Sequence, residues 1–170
     1  MRAVDPQVDA PHELIERGLR PLRLRRGTTF NRTTFNRTTM PDVTAKRLQD
    51  METTFRGSMR KVRAELGLTS FGVQTIDLPP NFDRYPLHDH SDDGQEEMYI
   101  ALAGGGTLEL ESGERFELDG ETAIRVGSGE RRRIIAGPEG IRILVVGGTP
   151  GGAYERRELT ELGSPDPMAR

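Results

Sequence analysis

The feature that most constrains this chain is a series of short runs, four to eight residues long, in which apolar and polar residues alternate from about residue 71 onward. Alternation with a period of two turns one face of a strand into a core and the other towards water. The runs are Phe71–Leu78, Tyr85–His90, Glu97–Ala103, Gly106–Glu111, Arg115–Leu118, Thr122–Val126, Arg131–Ala136 and Ile141–Val146. Between them stand Pro79-Pro80-Asn81, Glu111-Ser112-Gly113-Glu114, Asp119-Gly120 and Gly137-Pro138-Glu139-Gly140, all of which tolerate turn dihedrals. Eight short strands without a long helical pattern between them predict an all-β antiparallel sandwich or barrel. Met59–Leu66 is ambiguous, because its Ala, Glu, Arg and Leu favour helix. Its context favours a further strand, and strand is the reading taken here. A short helix is predicted near Glu155–Leu162, ended by Gly163-Ser164-Pro165.

At 170 residues the chain suits one domain. Its hydrophobic fraction of 34%, joined by 20 glycines, fits a globular core rather than wholesale disorder. No run approaches the roughly 18 apolar residues of a membrane span. Cysteine is absent, which excludes disulfides, thiol catalysis, zinc ribbons and iron–sulfur ligation, so any metal must be held by histidine and carboxylate. A net charge of −3 and a pI near 5.7 supply no basic surface for a nucleic-acid partner. With no cysteine and no apolar signal segment, the expected location is cytoplasmic.

The charge is unevenly placed. Residues 1–39 hold eight arginines against four acids, a local charge of +4 that leaves −7 for the rest. They also contain a tandem Thr-Thr-Phe-Asn-Arg repeat, Thr28–Arg32 and Thr33–Arg37, with no alternation able to bury a face. This predicts a disordered extension. An arm for an acidic partner and a targeting segment are the functional alternatives; a true start at Met40 is the plainer one. The expected organisation is therefore an extension over 1–39, a lead-in over 40–58, a barrel over 59–150 and a tail over 151–170.

His88 and His90 stand two apart in a strand-like run, so both rings project from one face. Glu97 opens the next apolar run after the polar connection Ser91–Glu96, and a hairpin of that kind can carry its carboxylate opposite the histidines. Two imidazoles and a carboxylate form a facial set that binds Fe(II) and suits Zn, Mn, Ni or Co, leaving positions for water or substrate. Gln95 and Glu96 are alternatives to Glu97 if the hairpin shifts. Tyr99 shares the parity of Glu97 and would place a phenol in the same pocket, or serve as core. Met98, Ile100 and Leu102 read as core, and Asp83, Arg84, Asp92 and Asp93 as solvated turn residues. Gly104-Gly105-Gly106 is no phosphate loop, since it leads into a strand rather than a helix N-terminus.

The stretch His88-Asp89-His90, then Glu97, six residues, and Gly104 resembles the first motif of the cupin superfamily, H-x-H, a short gap, E, six residues, G, with a slightly longer gap here. Tyr85-Pro86-Leu87 before it and Glu96–Gly104 after it are also similar to single-domain cupins. The resemblance spans roughly residues 60 to 150 and implies a double-stranded β-helix, or jelly-roll, barrel whose mouth holds one divalent metal on His88, His90 and Glu97. The second cupin motif, G, five residues, P-x-G, two residues, H, three residues, N, is matched only in outline by Gly120–Arg133. Gly127 stands in place of its proline and Arg132 in place of its histidine.

Arginine offers only donors and cannot ligate a cation. Arg132 thus has three readings: a bidentate partner for an anionic ligand beside the metal, an ion-pair partner of Glu97 in a metal-free pocket, or a solvated member of the run Arg131-Arg132-Arg133. The first makes the chain a metal-binding cupin with a small-molecule ligand, suited to oxygenation, isomerisation or cyclisation if it is an enzyme. The second makes it a non-catalytic binding or sensory cupin. A homodimer is the expected assembly, by analogy with small barrels whose strand edges a second subunit covers.

Overall fold

The computed structural model describes residues 42–169. The extension predicted over residues 1–39 lies outside the described residues.

Seven strands carry the fold: β1 (Thr53–Thr54), β2 (Met59–Arg60), β3 (Gly72–Leu78), β4 (Glu96–Leu110), β5 (Arg115–Leu118), β6 (Ile124–Val126) and β7 (Arg132–Gly148). They pair antiparallel in the order β1-β2-β3-β7-β4-β5, with β6 also pairing β4, along the edge away from β7. The two long strands bend midway. Glu96–Gly104 of β4 pairs with Ile141–Gly148 of β7, and Gly106–Leu110 pairs with Arg132–Ala136. Between these halves β7 makes an excursion over residues 137–140. The sheet therefore doubles over, with β3 and β6 flanking one half and β5 and a bridge from His88 to Arg132 flanking the other. Ile76, Tyr99 and Val145 from one half and Leu108, Leu118 and Ile134 from the other share a single buried core. This is the jelly-roll arrangement.

Two of the predicted breaks are bends, so four predicted strands merge into β4 and β7, Tyr85–His90 drops out, and the short β1 and β2 bring the total to seven. Gly104 has a φ of 65°, and a Cβ there would lie 2.1 Å from the carbonyl oxygen of Gly140. Only glycine admits that turn and approach, so β4 passes through Gly104-Gly105-Gly106 instead of stopping. Thr122–Val126 shortens to Ile124–Val126. Tyr85–His90 is not a ladder strand. It is held beside β7 by the His88–Arg132 bridge and by single backbone bonds, from Ala136 N to Phe82 O and from His90 N to Ser128 O. Pro86 has no N–H to contribute to a continuous ladder.

The strand reading of Met59–Leu66 is corrected. Only Met59–Arg60 is extended, and Val62–Leu66 forms a helix, α1, which is what the propensities of Arg, Ala, Glu and Leu favour. Gly67, with φ 72°, closes α1 by donating its amide to Ala64 O and Arg63 O. The helix predicted near 155–162 reduces to a 3₁₀ turn over Glu158–Thr160. Met98 and Leu102 are not core, being 36% and 48% exposed. The buried residues of this strand half are Glu97, Tyr99 and Ala101, so the outer face of the sheet carries the apolar parity read as core.

The C-terminal segment returns across the barrel. Lys61, fully buried, donates to Glu52 Oε1 at 2.6 Å, Ser164 Oγ at 2.8 Å and the Glu161 carbonyl at 2.9 Å. These bonds satisfy all three ammonium protons, which a buried lysine requires. They also hold Tyr154, Arg157 and Leu159 against the barrel's cavity.

The bend makes a direct prediction. Gly104→Ala must place its methyl on the Gly140 carbonyl and is expected to cost more than about 3 kcal/mol. Gly113→Ala, at φ 89° with nothing within 4 Å of a Cβ, meets only the left-handed strain of about 1 kcal/mol. Urea denaturation of the two variants checks this difference; equal losses would contradict it.

Candidate metal centre

His88, His90 and Glu97 come together on one wall of the barrel, with one potential ligand atom of each within 4.8 Å of the others. The histidines arrive on the chain that runs beside β7, and Glu97 arrives at the start of β4 on its inward parity. Glu96 points outward to Arg125, and the Gln95 amide is spent on Asp93, so neither joins the histidines.

Each histidine has its Nδ1 occupied. His88 Nδ1 lies 3.0 Å from Pro86 O, and His90 Nδ1 lies 3.1 Å from Asp93 Oδ1. The Pro86 carbonyl only accepts, so His88 Nδ1 donates and Nε2 keeps its lone pair, the arrangement that supports metal-bound histidine. His90 Nδ1 meets both the Asp93 carboxylate and, at 3.1 Å, the donor Arg157 Nη2. Burial pulls His88 below the ordinary histidine range, so the ring is neutral, as a ligand must be. Asp93 is itself held by Arg157, whose Nε and Nη2 lie 3.0 and 2.5 Å from Oδ2, and by Gln95 Nε2 at 2.7 Å. The expectation that Asp93 is a solvated turn residue is therefore corrected: its side chain is largely buried and holds His90. No spacing in the sequence links Arg157 to this site, because the contact crosses 64 residues.

Glu97 divides its two oxygens. Oε2 accepts from Arg132 Nη2 at 2.5 Å and from the Tyr99 hydroxyl, while Oε1 faces His90 Nε2 at 3.3 Å. Burial acts to raise the Glu97 carboxyl, but hydrogen bonds from His90 and Tyr99, with the charge of Arg132, outweigh it and hold it at about 2. Tyr99 is driven well above the ordinary phenol range by burial and by the Glu97 charge, so its hydroxyl stays protonated and donates. Arg132 also donates from Nε to the Tyr99 oxygen at 3.0 Å and from Nη1 to Glu130 O at 3.2 Å.

Of the three readings of Arg132, the solvated one is excluded: its side chain is fully buried, whereas Arg131 and Arg133 are about 40% exposed. Nor is Arg132 among the residues that line the cavity. It stands behind Glu97 and Tyr99, which do line it, together with both histidines. The cavity measures about 670 Å³ and is walled mainly by apolar side chains, among them Phe55, Met59, Ile76, Leu78, Phe82, Tyr85, Val145 and Leu159. Its size and character are those of a small-molecule site.

The residues present fit a divalent ion. Two imidazole nitrogens and Glu97 Oε1 form the donor set, and the protein already orients each of them. The Arg132 guanidinium does not fill the place of a ligand, since it uses the opposite carboxylate oxygen.

A doubled antiparallel sheet with bent shared strands, carrying H-x-H and a glutamate on its inner wall, defines the cupin fold, and this chain has it. A cupin protein from Bacteroides fragilis is similar in structure with a TM-score of 0.53, covering 69% of this chain and 93% of its own at 22% identity. A protein from Silicibacter pomeroyi, described as a sugar phosphate isomerase from a cupin superfamily, has a TM-score of 0.52, covering 62% of this chain and 75% of its own at 17% identity. No family model matches the sequence, and comparison with curated proteins finds no match. No helix among the described residues is long and apolar enough to cross a membrane.

The pair behind the wall carries a prediction. Arg132→Ala strands a buried carboxylate and is expected to cost about 3–5 kcal/mol. Adding Glu97→Gln removes that charge and should restore part of the loss. Urea denaturation of the single and double variants tests this; a double variant weaker by the plain sum of both single effects would contradict it.

Proposed function

We propose that this protein binds one divalent first-row metal through His88, His90 and Glu97 and presents it to a small, largely apolar ligand in the barrel cavity. The observation that carries the reading is the convergence of His88, His90 and Glu97, one ligand atom of each within 4.8 Å of the others, beside a carboxylate oxygen that Arg132 leaves to spare. Such an ion supplies Lewis acidity and open coordination positions, which suit oxygenation, isomerisation or cyclisation of an oxygenated substrate.

The chain's own residues do the positioning. Arg132 and Tyr99 fix the Glu97 carboxylate and keep it ionised, Asp93 and Pro86 O fix the two rings, and the apolar walls exclude water from around them. Tyr99, whose hydroxyl donates to Glu97, lines the cavity, as does Tyr85. Tyr99 would contact a ligand's polar group there.

A second reading has its own observation. The buried Arg132–Glu97 pair at 2.5 Å is complete without an ion, so the same wall would serve a metal-free binding or sensory cupin.

Elemental analysis of protein purified without chelator separates the two. The metal reading predicts a near-stoichiometric first-row metal that His88→Ala loses, and a metal affinity reduced about 10–100-fold in Asp93→Ala. Wild-type stoichiometry retained in His88→Ala would refute the ligand set. Metal-free protein that takes up none of Fe(II), Zn, Mn, Ni or Co would favour the second reading.

A further inference from the structure

Charge around the cavity is not balanced. Its lining includes one acid, Glu97, and that charge is met by the buried Arg132. Three arginines also line it. Arg157 is paired with Asp92 and Asp93, and Arg56 gives its Nε to the Met168 carbonyl, with Asp166 alongside. Arg84 has neither an ion-pair nor a side-chain hydrogen-bond partner among the described residues.

The position of Arg84 follows from the chain that delivers the histidines. Phe82, Arg84, Tyr85, Pro86, His88 and His90 of this one run all line the cavity. Arg84 is thus on the same wall as His88, four residues away, a backbone distance of at most about 14 Å. The cavity is walled mainly by apolar side chains, with Arg56, Arg157, Gln74, Gln95 and Thr160 among its polar ones. Arg84 is exposed, so its free guanidinium stands where the mainly apolar cavity meets water, and it can meet an anionic head there through a charge-assisted hydrogen bond, among the stronger polar contacts.

We infer that the cavity takes an amphipathic anion, an apolar body with a carboxylate or phosphate head, and that Arg84 holds the head. This rests on the cavity being the ligand site proposed above and gives it a substrate class. The anion-binding role read for Arg132 in the sequence passes to Arg84, since the Arg132 guanidinium is turned into the wall.

The test is calorimetric titration of chelator-treated protein with decanoate, decyl phosphate and decanamide. Removing metal first leaves Arg84 as the partner for the head. Wild-type protein should bind at least one anion about tenfold or more tighter than the amide, and the two anions distinguish carboxylate from phosphate. Arg84→Gln, an exposed substitution, should abolish that preference and leave the decanamide Kd unchanged. Equal affinities for the three compounds, binding of none of them, or a preference that survives Arg84→Gln would overturn the inference. Metal content of the same preparations before chelation separates the two proposals: a lost preference with metal intact overturns only this one, and a preference kept by protein that never binds metal overturns only the metal reading.

Discussion

The site depends on one buried ion pair. Glu97 sits on an inward position of the barrel, where an unpaired carboxylate would be strongly disfavoured, and Arg132 stabilises it there as an anion. Because Arg132 also donates to the Tyr99 oxygen, and Tyr99 donates to the same Glu97 oxygen, three side chains from β4 and β7 form one closed hydrogen-bonded group. Its effect is directional. By occupying Oε2 it leaves Oε1 facing the histidines, so one carboxylate serves the fold with one oxygen and the site with the other.

The geometry that brings this group together is set by the bends in β4 and β7. Their halves pair in both layers of the jelly roll, so Glu97 at the start of β4 and Arg132 at the start of β7 lie at opposite ends of the paired ladder, yet side by side in space. The glycines at the bend allow the backbones to touch. The C-terminal segment completes the enclosure, pinned by Lys61 and by Arg157, and through Asp93 it reaches the back of His90. Cavity wall and the support of His90 are thus parts of the same segment.

Much of this was legible in the residues. Period-two alternation gave the all-β class, and the parity of Glu97 and Tyr99 placed both side chains inward. What alternation could not supply was the difference between a break and a bend: Gly104-Gly105-Gly106 reads as an interruption, and only the contact with Gly140 shows that the strand continues. Nor did apolar character mark the core of β4, since Met98, Ile100 and Leu102 are more apolar than Glu97, Tyr99 and Ala101, yet the latter three are the buried ones. In Val62–Leu66 the helix propensity of Arg, Ala, Glu and Leu outweighs the strand context around it. At the site, His88, His90 and Glu97 lie within ten residues and share a simple spacing. Arg157 and Asp93 have no such signal, because their meeting depends on the path of the C-terminal segment.

The central claim is that Glu97 serves Arg132 and a metal through different oxygens. Anomalous diffraction at the metal edge from crystals grown with Co(II) tests it most directly. The account predicts a single strong peak among His88 Nε2, His90 Nε2 and Glu97 Oε1, with the Arg132–Oε2 contact kept. A peak elsewhere, or an ion that binds Glu97 only after displacing Arg132, would contradict it.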